Sequence, residues 1–193
     1  MSEPLTATKD MCAYVYDCVC ARLQLAPQHP VPTTIPNVPC PLFVTWHKDG
    51  DLRGCIGTLA TPGPKLHEGL ARFACVAAFE DHRFNPMVST EMNASISVDI
   101  NLLVNFEPCA SWDDWTVGTH GIDIELDNQY HAVFLPCVAE EQGWDKTTTL
   151  LHLLRKSGYG GPVDKATLQR VKAERFSSSV MSLTYAEYRA MRK

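Results

Sequence analysis

The chain has little that would assign it to a common functional class. Its 193 residues include no apolar run near the ~20 residues that cross a bilayer. The first four residues lack the basic and apolar stretches of a secretory signal. No Cys-x-x-Cys pair is present, which disfavours a structural zinc site. The glycines of 158–161 lack the spacing and the preceding strand of a nucleotide-binding loop. These absences predict a protein without a membrane span, a metal or a cofactor.

The cysteine pattern and the charge distribution indicate the cellular compartment and the class of partner. Eight cysteines are scattered along the chain, which favours free thiols in a reducing compartment inside the cell. Without a dense basic cluster we expect the cytoplasm, with the nucleus left open. Residues 1–154 hold 8 Lys and Arg against 19 Asp and Glu, and the formal net charge is −5. Such an acidic chain disfavours nucleic acid as a partner. The basic end, 155–193, either binds phosphates or packs against the acidic body.

Length and hydrophobic periodicity predict one α+β domain over residues 1–193. A chain of this length can bury a sufficient core without metals or disulfides. Turn residues at 48–51 and 127–130 indicate hairpins, hence a largely antiparallel sheet with flanking helices. Helical spacing occurs at 8–25, at 65–80, and between a cap at Asp145 and an end at Gly158. Strand-like patterns occur at 42–47, 52–59, 96–104, 118–127 and 130–135.

The stretch Leu52–Leu59 combines a cation, a thiol and two glycines within one predicted strand. Regular alternation places Arg53 and Cys55 on the same face, roughly 6–7 Å apart, with Leu52 and Gly54 on the other. We expect Gly54 to allow another element to pack closely, and Gly57 to leave open space beside Cys55.

Two interpretations of this stretch stay open. A guanidinium near a thiol favours the thiolate, which would make Cys55 a nucleophile or a ligand contact. Alternatively, Cys55 is a small buried apolar residue and Arg53 is held by a carboxylate elsewhere.

Three further side chains are candidates for the same site. Arg83 either binds an anionic group or pairs with Asp81 or Glu80. His120 lies between glycines, where it could serve as an acid or base or could simply bind backbone at a turn. A Cys55–His120 pair would follow the logic of thiol–imidazole catalysis. His47, beside the first hairpin turn, either acts on the thiol or is solvated.

The signature Leu-Arg-Gly-Cys-Ile-Gly at 52–57 resembles that of the AMMECR-type domain family. Further blocks follow in the family's order, and the resemblance covers nearly the whole chain, from about residue 10 to Tyr188. These blocks are 80–84 with Pro86, 117–122, 134–136, 141–145 and 155–159. The resemblance implies one domain of two lobes and favours an extended strand around 168–177. The resemblance supports a fold more strongly than it supports any particular reaction.

Two functions are therefore expected as alternatives, and the sequence leaves open whether the protein is an enzyme. In the first, a cleft between the lobes binds a small molecule or carries out thiol-dependent chemistry. Cys55 would be the nucleophile, Arg53 and Arg83 would hold anions, and His120 would be the base. In the second, the protein is a non-catalytic interaction or regulatory module for a protein partner. Its binding face would be the Trp112/Trp115 segment or the proline-rich loop 26–41. The oligomeric state stays open.

Overall fold

The computed structural model describes residues 5–193. The expectation about a secretory signal concerns residues 1–4, which lie outside this range. Helices and strands alternate irregularly along the chain. The helices are α1 Lys9–Arg22, α2 Leu66–Phe79, α3 Pro136–Glu141, α4 Lys146–Lys156, α5 Lys165–Arg170 and α6 Tyr185–Met191, and a single 3-10 turn covers Ser89–Glu91. The strands are β1 Leu42–Lys48, β2 Asp51–Gly57, β3 Ile96–Pro108, β4 Gly121–Leu126, β5 Tyr130–Phe134 and β6 Val171–Thr184.

The six strands are antiparallel, and hydrogen-bonded neighbours follow the order β2-β1-β3-β6-β4-β5. Strand β2 therefore lies at one edge of the sheet. Both predicted hairpins are present. Asp49 and Gly50 have positive φ in the first turn, and Asp127 and Asn128 have positive φ in the second. The predicted α+β class with a largely antiparallel sheet is confirmed.

Backbone contacts divide the chain into two compact units. Unit 1 runs to Leu102 and includes Ser179–Lys193, and unit 2 is Leu103–Ser178. In unit 1, alternate side chains of β1 and β3 are fully buried, and Trp46 donates a hydrogen bond from its indole to the carbonyl oxygen of Ala74 on α2. Helices α1 and α2 supply the rest of this core, and α1 is buried on almost every side.

Unit 2 has its own apolar core. Strands β4 and β5 and helix α4 supply its aliphatic side chains, and Trp115 is buried among them. The strand expected around 168–177 begins later and is longer than expected, because a helix precedes it. Asp164 accepts a hydrogen bond from the Thr167 amide and so starts α5, and β6 follows only from Val171.

No helix among residues 5–193 is both long enough and apolar enough to cross a membrane.

Candidate functional site

Strand β2 contains a β-bulge at Arg53. Trp46 of β1 pairs with Gly54, but the next residue, His47, pairs with Leu52, so Arg53 is the extra residue. The bulge interrupts the alternation on which the sequence prediction relied. Leu52 consequently shares a face with Cys55, contrary to the expectation that it lies with Gly54.

The guanidinium of Arg53 is held by a carboxylate. Its Nε and Nη2 donate to the two carboxylate oxygens of Glu91 at 2.9 and 3.0 Å, and Nη2 also donates to the carbonyl oxygen of Asn85 at 2.9 Å. The side chain of Arg53 is only 11% exposed. The hydrogen bond from Arg53 lowers the pKa of Glu91 to about 2, and Lys48 adds a further bond. These contacts agree with the interpretation in which Arg53 serves structure.

The peptide groups of Cys55 are fixed from the open edge of the sheet. Its N–H donates to Oδ2 of Asp81 at 2.9 Å, and Nη2 of Arg83 donates to its carbonyl oxygen at 3.1 Å. Edge strands expose unpaired backbone groups. Here an acidic and a basic side chain from one short segment form hydrogen bonds with the N–H and the carbonyl oxygen of Cys55. The two side chains act where a neighbouring strand would otherwise bind.

Asp81 and Arg83 also bind each other. Arg83 Nε donates to Oδ1 at 2.9 Å, and Nη2 donates to Oδ2 at 2.7 Å. The Asp81 side chain is 4% exposed, whereas that of Arg83 is 55% exposed. The hydrogen bond from Arg83 holds the pKa of the Asp81 carboxyl well below its usual range. The alternative in which Arg83 pairs with Asp81 is thus the one observed, and a ligand-binding role for Arg83 stays a prediction.

Phe84 lies between the two arginines. Its ring centroid is 5.9 Å from the guanidinium carbon of Arg53 and 5.6 Å from that of Arg83. It also helps to line a depression of about 610 Å³ beside β2 and the end of α2.

The sulfur of Cys55 lies on a polar face of unit 1. Cys55 is half-buried, and the Thr45 hydroxyl donates to its Sγ at 3.1 Å. Thr45 stands opposite Asp99 on β3, and Nε2 of His47 lies 3.0 Å from Oδ2 of Asp99. The adjoining amide oxygen of Asn101 is buried and has no hydrogen-bond partner.

Both glycines of the signature lie against the backbone of a neighbouring element. A Cβ on Gly54 would lie 2.1 Å from the carbonyl oxygen of Ala77, so the expected close approach of another element is confirmed. A Cβ on Gly57 would lie 2.2 Å from the Leu42 carbonyl oxygen and 2.6 Å from the ring of Phe43. The prediction of open space beside Cys55 at this position is wrong, because β1 and the Phe43 ring occupy it.

His120 lies in unit 2, in the turn before β4. Its Nδ1 accepts a hydrogen bond from the amide of Thr116 at 3.0 Å, which matches the alternative of a histidine bound to backbone. Arg53, Cys55 and Arg83 all belong to unit 1. A Cys55–His120 pair, and the cleft that would contain it, stay predictions.

The sequence offered little reason to select several of the residues that surround Cys55. Asp81 was named as a partner for Arg83, but Glu91 had no distinguishing context, and Thr45 had none beyond its place in a strand. Among residues 5–193 no group of three or more His, Cys, Asp and Glu side chains is arranged to hold a metal ion.

Comparisons with known proteins give the family. The AMMECR1 family model matches residues 12–181. An uncharacterized protein of Arabidopsis thaliana is 32% identical over 95% of this chain and 88% of its own length. An uncharacterized protein of Schizosaccharomyces pombe is 42% identical over 77% of each chain.

The fold is also similar to that of a solved structure from an archaeon. The crystal structure of the uncharacterized protein PH0010 from Pyrococcus horikoshii matches with a TM-score of 0.67 and 24% identity, over 92% of this chain and 93% of that one. At that identity the likeness concerns the fold alone. From the match over residues 12–181 and the two relatives, we conclude that the chain belongs to the AMMECR1 family.

Proposed function

We propose that this protein, inside the cell, binds a small molecule on the polar face of unit 1, with the thiol of Cys55 as the reactive contact. The observation that carries the proposal is the fixation of Cys55. Its peptide is bound by Asp81 and Arg83, and its sulfur by Thr45. A residue whose backbone and side chain are both held by hydrogen bonds is typical of a preorganised site.

The two arginines take different roles in this proposal. Arg53 is a positioning residue, because Glu91 neutralises it in a nearly buried setting. Arg83 retains an exposed guanidinium edge, so it supplies the anion contact while it still holds Asp81.

A base is needed if the thiol attacks a substrate. His120 is the base predicted from the sequence, and it remains the first candidate of the proposal. His47, oriented by Asp99 on the Cys55 face, is the second candidate.

Site-resolved alkylation tests the proposal. Native protein is treated with iodoacetamide at neutral pH, and modified cysteines are mapped by peptide mass. We expect Cys55 to react before Cys75 and Cys109, since burial raises the pKa of both of those thiols. The exposed Cys137 shows that the reagent is active, and a Cys55→Ser variant confirms the assignment.

If Cys55 stays unmodified until the protein unfolds, the thiol has no role as a contact. A thermal-shift screen of small metabolites then separates binding from reactivity, because a ligand of the folded state raises the Tm. Stabilisation of the native protein that disappears in Cys55→Ser supports the proposal.

A second candidate function is the non-catalytic interaction module. One observation favours it: Arg53 and Arg83 are each paired with a largely buried carboxylate of the same chain, as expected for a rigid structural core. Trp115 does not contribute to the expected Trp112/Trp115 binding face, however. It is only 4% exposed, and it donates its indole N–H to the Trp112 carbonyl oxygen. A thiol inert to alkylation and a metabolite screen without stabilisation would favour this function.

A further inference from the structure

Two thiols from neighbouring helices line one shallow depression in unit 1. Cys18 on α1 and Cys75 on α2 contribute to its wall, together with Arg22 and Gln28, and its volume is about 390 Å³. Gln28 Nε2 lies 3.7 Å from the Cys18 sulfur. Both cysteines are free, Cys18 buried and Cys75 half-buried.

The C-terminal turns of α1 and α2 lie against each other. Arg22 lies over the Phe79 ring, 4.6 Å from its centroid, and its Nη1 is 3.7 Å from Oε1 of Glu80. Cys18 lies one helical turn before Arg22, and Cys75 lies one turn before Phe79. Both cysteines thus lie one turn before the residues of this contact, and both line the same depression.

Burial raises the pKa of both thiols. Burial raises the pKa of Cys18 to about 12, and the negative charge on Cys75 contributes to the same rise. Burial also raises the pKa of Cys75, while Arg22 opposes that rise. Because Cys75 is more exposed and has a cation beside it, a reagent from solvent meets Cys75 first.

We propose that Cys18 and Cys75 form a reversible disulfide when the protein meets a peroxide. The Cys75 thiolate attacks one oxygen of hydrogen peroxide, the O–O bond breaks, hydroxide leaves, and Cys75 becomes a sulfenic acid. The Cys18 thiolate then attacks that sulfur, the S–S bond forms, and a second hydroxide leaves. The two thiol protons convert both hydroxides to water, so two electrons pass from the thiols to the peroxide. A small thiol returns the pair to the reduced state by exchange.

The disulfide would join α1 to α2 and close a loop of roughly 57 residues. Such a cross-link restricts the unfolded chain, so we expect oxidation to raise the Tm by about 5–10 °C. Helix α2 also supplies the Ala77 carbonyl oxygen that packs on Gly54, so the link would fix the wall behind strand β2.

The experiment uses the full chain treated with hydrogen peroxide, followed by blocking of free thiols and mass mapping without reduction. We expect a linked pair of peptides containing Cys18 and Cys75, and its loss on addition of dithiothreitol. Cys20→Ala is the matched control, since Cys20 is a buried thiol of the same helix, and it should retain the link. Cys75→Ala should abolish both the link and the rise in Tm.

A second probe is independent of oxidation. Phenylarsine oxide bridges two nearby thiols, and we expect one equivalent to be retained by the native protein and lost in Cys75→Ala. The proposal is overturned if Cys137 is oxidised while no Cys18–Cys75 link appears. Linkage of Cys18 to Cys20, or between two chains through Cys137, overturns it equally.

Discussion

The buried carboxylate of Asp81 accepts a hydrogen bond from the backbone N–H of Cys55 at 2.9 Å. This bond joins the signature strand to the segment that follows α2, and Arg83 closes the arrangement from the solvent side. Two sequence blocks that are separated along the chain thus form one structural element at the edge of the sheet.

Removal of the Asp81 charge should destabilise the protein. In Asp81→Asn the Arg83 guanidinium loses its counter-charge and the bidentate geometry, so we expect a loss of about 1–3 kcal/mol in the free energy of unfolding. Urea denaturation measures the change. Asp51→Asn, which changes an exposed carboxylate at the start of strand β2, is the control and should stay within about 0.5 kcal/mol of the parent protein.

A double-mutant cycle tests whether Asp81 and Arg83 act as a pair. Arg83→Gln alone leaves a buried carboxylate without its partner, so it should cost about as much as Asp81→Asn. The double variant should lose less than the sum of the single losses, with a coupling of about 1–3 kcal/mol. Strict additivity would show that the two side chains contribute independently.

Stability should fall in acid partly through Glu91. Its pKa lies at about 2 in the folded protein, below the value near 4.5 that applies when the chain is unfolded. Between these values the unfolded state binds more protons, so stability rises with pH. The contribution is present above about pH 4.5 and is lost as the pH falls toward 2. Urea midpoints from pH 7 to pH 3 should decline less steeply in Glu91→Gln than in the parent protein.

Gly54→Ala should be strongly destabilising. The added methyl group would lie 2.1 Å from the Ala77 carbonyl oxygen, so helix α2 must move away from β2. We expect a loss of about 3 kcal/mol, measured by urea or thermal unfolding. Gly160→Ala provides the contrast, because nothing lies within 4 Å of its added Cβ, and it should unfold like the parent protein.

The Thr45 hydroxyl should influence the reactivity of Cys55. The hydroxyl donates a hydrogen bond to the sulfur and holds the thiol in one position, so Thr45→Val should slow alkylation of Cys55 by about 3-fold. Valine is β-branched like threonine, so the strand itself should be retained. Thr58→Val is the control, since the Thr58 hydroxyl binds the backbone of Ala60 instead of a sulfur. Equal alkylation rates in all three proteins would show that this hydrogen bond does not affect the thiol.

The sequence predicted the local elements well because their causes are local. Asp49-Gly50 and Asp127-Asn128 adopt the positive φ angles that tight hairpins require. The late start of β6 was missed, because the Asp164 cap and the strand pattern compete within a few residues. In such a segment tertiary pairing decides where the helix gives way to the strand.

The amino-acid sequence by itself determined the α+β class, the hairpins, and the choice of Arg53, Cys55 and Arg83 as residues worth examining. Only the tertiary structure decided which carboxylate each arginine binds, because Glu91 and Asp81 reach β2 through folding and their spacing along the chain does not fix the pairing. It also decided which face Leu52 occupies, since one bulged residue reverses a period of two for every residue beyond it.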